Sequence, residues 1–220
     1  MRRTATIIAL TAAIWVAGNG CAGGPAQETP AAAKKENQAM TEQYLNALRN
    51  HEIDLPKRAA DIPGDWLEQV ARQWRNLDDE AHDIAVSTAA KMKTRAAGQF
   101  LLTVAGLPGE EVSTAAAAAL LDHPESPDGN TIAIAAQPVK DAVTRAYLYR
   151  AAGARQAAVA TLEPIVAKES NPDARQAALE ALARLGHLPS LHALYEATQK
   201  ATAADVLVLH DALIYVKDKR

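Results

Sequence analysis

The sequence predicts an all-α protein in which antiparallel helix pairs pack as a short α-solenoid. Three observations carry this expectation. Alanine supplies 50 of the 220 residues while aromatics make up 4%. That balance favours closely packed helices over a β-sandwich or barrel, which draws on β-branched and aromatic side chains. Apolar residues recur at three- and four-residue spacing through most of the chain, the period of a helix face. The C-terminal third repeats itself every 32 residues, within the range of helix-pair arrays. Glycine and proline, 11 each, are too few for a disordered chain of this length.

The first 21 residues read as an address. Arg2 and Arg3 precede an apolar run that ends at Ala17, followed by Gly18, Asn19, Gly20 and Cys21. A basic start, an apolar middle and a small-residue cleavage zone form an export signal, too short to cross a bilayer as a helix. Cys21 is the only cysteine. The segment resembles a bacterial lipoprotein signal, with Cys21 at the lipid-acceptor position. It departs from that pattern at Gly18, where an aliphatic residue is usual, and at Asn19. The resemblance implies a signal peptide over 1–20, a lipid on Cys21 and a place in the bacterial cell envelope. Ala22 after the cysteine, in place of aspartate, points to the outer membrane, facing the periplasm. Ordinary secretion and an uncleaved anchor are the alternatives.

Beyond Cys21 the chain carries 21 basic and 26 acidic residues. Without a basic stripe to neutralise phosphates, no nucleic-acid partner is expected. A lone cysteine excludes internal disulfides, cysteine zinc sites and, if lipidated, a thiol nucleophile.

Residues 21–37 read as a flexible tether, rich in small and charged residues. An N-terminal helical region is expected over 38–137. Its first helix, near 37–51, aligns Met40, Tyr44, Leu45 and Leu48. Residues 55–64, with Pro56, Pro63 and Gly64, form a loop. Asp65 opens a second helix carrying Leu67, Val70, Ala71, Trp74 and Leu77 on one face. The alanine-rich stretch 78–105 reads as a long helix that Gly98 weakens. A further helix covers 111–121, HPESPDG (123–129) is a loop, and 131–136 is a short helix.

Residues 138–220 form the repeat region. Asp141, Asp173 and Asp205 are spaced by 32 and 32 residues, each opening a helix-like segment. Val159 matches Leu191 and Leu162 matches Leu194 at the same spacing. Glu180 breaks the apolar pattern opposite Leu148, and Pro164 is expected to kink or split its helix. Gly186 and Pro189 make the turn between helices of the second unit. The stretch PDARQAALEALARLG (172–186) resembles the first helix of a HEAT repeat, clearest over 139–217. That resemblance implies stacked helix pairs with a protein-binding surface.

No chemical motif stands out. There is no phosphate loop, no HExxH and no serine in a nucleophile elbow, so no catalytic residue and no cofactor are expected. Asp79, His82 and Asp83 share a helix face and are weak candidates for a metal; the acidic start of a helix accounts for the same residues. His187, His192, Tyr195 and Glu196 gather around the last repeat. Lys91, Lys93 and Arg95, with Arg72 and Arg75, form the clearest basic region, either a solvated face or a contact for anionic lipid or cell-wall polymer. Trp66 and Trp74 are core residues or a stacking platform.

The expected function is a membrane-tethered periplasmic scaffold or adaptor that binds another envelope protein. Arg145, Tyr147, Tyr149, Arg150, Tyr195 and Tyr215 are the candidate contacts, because arginine and tyrosine are enriched in binding hot spots. A structural or regulatory subunit of an envelope complex is the alternative, with the apolar flank Leu207, Leu209, Leu213 and Ile214 as its contact. A metal-dependent envelope enzyme built on Asp79, Glu80 and His82 is a third reading.

Overall fold

The computed structural model describes residues 30–186 and 188–199, together with 206, 207 and 210. Among the described residues there are ten α-helices and no strand. Cys21, His187, Leu209, Leu213, Ile214 and Tyr215 lie outside them; of the helix expected from Asp205, Val206, Leu207 and His210 are described as helical and exposed.

The first helix, α1 (Pro30–Arg49), begins earlier than expected. The sequence PAAAKKENQ, read above as tether up to 37, is helical because alanine, lysine, glutamate and glutamine are good helix formers and proline fits the first helical position. Residues 34–39 remain exposed. The packed part starts at Met40, where Tyr44, Leu45 and Leu48 turn inward. Burying Leu48 completely contributes about 1.5–3 kcal/mol. A 3-10 turn at Leu55–Arg58 leads to α2 (Trp66–Gln73), preceded by Asp65 as expected. The Asp65 side chain does not cap the helix; it accepts a 2.7 Å hydrogen bond from the Thr41 hydroxyl and ties α2 to α1.

Eight further helices follow: α3 (Asp79–Lys91), α4 (Arg95–Ala105), α5 (Glu110–Asp122), α6 (Gly129–Ala136), α7 (Ala142–Ala154), α8 (Val159–Lys168), α9 (Pro172–Leu185) and α10 (Leu188–Thr198). Among sequence neighbours, α3 lies against α4, α4 against α5, α6 against α7, α8 against α9 and α9 against α10. The odd-numbered helices α3, α5, α7 and α9 each contact the next in one layer. In the other layer α2 touches α4, α6 touches α8 and α8 touches α10, less extensively.

The stretch 78–105 is therefore two helices, not one. The break falls at Met92–Thr94, where Thr94 turns extended and caps α4 through the Ala97 amide at 3.2 Å. Gly98 lies inside α4, where a Cβ would strike the Glu125 backbone. Pro164 sits within a continuous α8 and does not split it. Gly186 closes α9 in the left-handed conformation at φ 65°, but Pro189 belongs to the first turn of α10.

A spacing close to 32 residues begins upstream of position 138. The residues that precede α3, α5, α7 and α9 are Asp78, Gly109, Asp141 and Asn171, spaced by 31, 32 and 30. Three columns of buried side chains follow the same spacing: Ala85, Ala116, Leu148 and Ala178; Val86, Ala117, Tyr149 and Leu179; Ala89, Leu120, Ala152 and Leu182. This corrects the register of the last step. Asp141 caps α7 through the Thr144 amide at 2.6 Å, whereas α9 is capped by Asn171, and Asp173 lies inside the helix. The true partner of Leu148 is Ala178, and Glu180 corresponds to Arg150. In the second layer the 32-residue match holds: Leu162 and Leu194 are both fully buried, and Val159 and Leu191 pack at the edge of the core.

Polar side chains fasten one helix of the first layer to the next. At the ends of α3, α5 and α7 stand Met92, His123 and Arg155. The buried His123 ring places Nε2 2.7 Å from the Met92 carbonyl oxygen, and Arg155 in turn donates to the His123 carbonyl. After the caps of α3, α5 and α7, the fourth residue reaches back to the preceding linker: His82 Nε2 lies 2.8 Å from the Trp74 oxygen, Ser113 Oγ donates to Leu107, and Arg145 donates to Val139 and Lys140; in α9 the equivalent Arg175 donates forward to the Ala197 carbonyl of α10.

A candidate docking groove between α2 and α4

The candidate residues at the repeat end are mostly committed to holding the fold. Arg145 makes a two-pronged pair with Glu169, Nε to Oε2 at 2.9 Å and Nη2 to Oε1 at 3.0 Å, with the two side chains 13% and 7% exposed. Tyr149 is buried beside them and directs its hydroxyl at Glu169 from 3.4 Å. Burial pushes the Glu169 carboxyl up, but Arg145, the Asn171 amide and the Tyr149 hydroxyl outweigh it and hold it below its ordinary range. Burial, reinforced by the Glu169 charge, pushes the Tyr149 phenol up to about 12. Arg150 pairs with Glu180 at 2.7 Å across α7 and α9. Tyr147 packs partly into the core. Of the candidate contacts within the described residues, Tyr195 on α10 is the one that is largely exposed.

The metal candidates do not converge. His82 stacks on Trp74 with ring centres 4.1 Å apart and commits Nε2 to the Trp74 carbonyl. Its Nδ1 lies 3.9 Å from Asp79, whose own side chain is fully in solvent. Asp78, beside them, caps α3 and contacts His51 at 2.9 Å. Among the described residues no three histidine, cysteine or carboxylate side chains gather as a metal would need. His192 meets Glu196 at 3.9 Å on the surface of α10.

An apolar feature with room for a ligand lies elsewhere. Between α2 and α4 runs an open, mostly apolar groove of about 670 Å³. Leu67, Phe100 and Val104 form its buried floor; Trp74 and Leu107 are half-buried in its walls. Phe100 meets the Trp74 ring edge-on at 5.7 Å, which fixes the platform against α3 through His82. The exposed lips carry Ala71 and Arg72 on α2, Arg75 in the 3-10 turn Trp74–Asn76 that follows it, and Ala96, Gln99 and Thr103 on α4. Arg72 shares its charge with Glu68 at 2.5 Å; Arg75 is exposed and makes no ion pair among the described residues.

Both tryptophans pack with the core, as expected. Trp66 is wholly buried, and Trp74 presents part of its ring to the groove. Phe100 was not singled out from sequence. The signal was there: Phe100, Leu101, Leu102, Val104 and Ala105 are apolar on more of the helix than one core face can cover.

Comparison with known proteins supplies no further handle: no family model, no curated protein and no solved structure matches the chain. No helix among the described residues is long and apolar enough to cross a membrane.

Proposed function

We propose that this chain is a lipid-anchored scaffold or adaptor of the bacterial envelope, built on HEAT-like helix pairs, that binds another envelope protein through the groove between α2 and α4. The observation that carries the reading is that groove. It is an apolar trough with an aromatic floor and a cationic lip, set on a stack whose Arg145 and Arg150 are answered internally by Glu169 and Glu180. Aromatic and arginine side chains around a desolvated centre are what binding hot spots are made of. The signal-like residues up to Cys21 support the tether. A lipid there would hold the surface at the membrane and raise the local concentration of any membrane partner.

The test has two parts in cells producing the full chain. Metabolic labelling with an alkyne fatty acid is expected to mark the wild type and not Cys21→Ser, and the wild type is expected in the outer-membrane fraction. Crosslinking in intact cells, followed by mass spectrometry of the membrane fraction, is expected to recover one stoichiometric envelope protein. An unlabelled wild type would sink the anchor; efficient crosslinking without a protein partner would sink the adaptor.

A further inference from the structure

We propose that the groove between α2 and α4 receives an amphipathic helix of the partner protein, about three turns long, with an apolar stripe on one face and acidic side chains beside it. This rests on the adaptor reading above and names what the partner must present.

The groove's length sets the first constraint. Its α4 wall is built from Ala96, Gln99, Phe100, Thr103, Val104 and Leu107. These are successive turns of one helix face continued just past its end, about 16 Å at 1.5 Å per residue. The facing wall contributes Leu67 and Ala71 on α2 and Trp74 just past its end, at three- and four-residue spacing. Ridges at this period accept a third helix whose side chains fall at i, i+3, i+4 and i+7. Ala71 and Ala96 keep the lips low, so a helix backbone can approach the floor.

The charges set the second constraint. Arg72 on α2 and Arg75 in the turn after it stand on one lip, and Arg95, at the start of α4, is exposed beside Lys91 and Lys93. Glu68 is the single carboxylate lining the groove and already meets Arg72. A partner with basic flanks would face uncompensated like charge, whereas acidic flanks would find Arg75 waiting. Gln99 and Thr103, midway along the α4 lip, suit a peptide with polar edges better than a lipid chain, which would leave them facing methylenes.

The experiment places a benzophenone amino acid at Ala71 or Thr103 in the full chain in cells, with Ile134 on α6 (58% exposed) as a position away from the groove. Adducts are digested and the crosslinked peptide is sequenced. Positions 71 and 103 are expected to trap the same partner peptide, with helical apolar spacing and flanking Asp or Glu. Position 134 is expected to trap it at least tenfold less. Arg75→Glu is expected to cut the adduct at least tenfold, and Ala71→Arg, which fills the groove from an exposed site, to abolish it. Circular dichroism melting controls for folding. Adducts to lipid, to a second copy, to this chain's own termini, or to a basic or extended segment would each overturn the proposal. Protein adducts from position 134 but not from the groove would overturn it while leaving the adaptor reading standing. Protein adducts from none of the three would remove both.

Discussion

The two ends of this molecule solve helix packing in opposite ways. From α5 to α9, alanine and glycine set among buried leucines and Tyr149 let the helices of the first layer lie close. Gly153 on α7 is so near α9 that a Cβ would sit 2.5 Å from the Ala181 Cα. Charged side chains there are buried and answered, as Arg145 is by Glu169. From α1 to α4 the packing elements are large: Trp66, Trp74 and Phe100. Bulky wedges hold helices apart, and the space they leave between α2 and α4 is the groove. Small residues let helices close up on one another; large ones leave the apolar cleft. On the proposed function, the N-terminal half carries the contact.

The largest expected effect tests the closely packed end. Arg145→Ala leaves the Glu169 carboxylate buried without its cation and strips the Val139 and Lys140 carbonyls of a donor. Loss of one member of a buried pair costs about 3–5 kcal/mol. Urea unfolding of Arg145→Ala should show a loss of that size. Arg150→Ala breaks a pair that is about one-third exposed and should lose only about 1 kcal/mol, since solvent screens such pairs. Equal losses would mean that burial does not set the strength of these links.

Next in size is the close approach of α7 and α9. Gly153→Ala forces a methyl group into the Ala181 backbone, which no rotamer can relieve, and overpacking of this kind costs about 1–3 kcal/mol. Gly64→Ala, beside the groove, places its methyl in open space. Removing a glycine there is expected to be neutral or to stabilise by up to about 1 kcal/mol. If both variants melt alike, the contrast between a tight end and an open end fails.

Acid tests the same contrast through protons. Glu169 in the fold is held below its ordinary 4.5, and Asp141, through the Thr144 hydroxyl and amide, below 3.8. Depressed carboxylates contribute stability that is fully present above the unfolded-state values and is lost as pH falls through the folded ones. The urea midpoint should therefore hold steady from pH 7 to about 5 and decline below about 4. Glu169→Gln should start lower and decline less steeply. A parallel decline in that variant would place the acid-sensitive contacts elsewhere.

Much of the frame was legible in the sequence because it is written in periodic, local terms. Alanine content, apolar spacing and the 32-residue recurrence predict helices in pairs. The misreadings share a cause: the sequence shows a residue's type but not its partner. Asp173 looked equivalent to Asp141 because both are aspartates at a helix start. In fact the cap role passed to Asn171, and the three-dimensional register moved by two residues with it. Glu180 looked like a defect until Arg150 stood opposite. Arg145 read as a binding residue because a buried arginine and a free one are spelled alike. The groove was the least legible feature, since it depends on how far apart two helices rest. Only the excess apolar surface of α4 hinted at it.

The smallest expected effect bears on the contact end alone. Arg72 and Glu68 form an exposed pair four residues apart on α2, each 64% exposed. Such pairs contribute about 0.3–0.5 kcal/mol, so Arg72→Ala should barely move the melting temperature. Its consequence should appear instead at the groove lip, where one cation is removed and Glu68 is left uncompensated. An acidic partner then meets a net carboxylate where it met a neutral pair. Glu68→Ala should act in the opposite sense, freeing Arg72 and strengthening the adduct trapped at Thr103, again with little change in stability. Opposite shifts in capture on a constant melting temperature would separate recognition from folding. Equal shifts would mean that the charge of this lip is not read by what binds there.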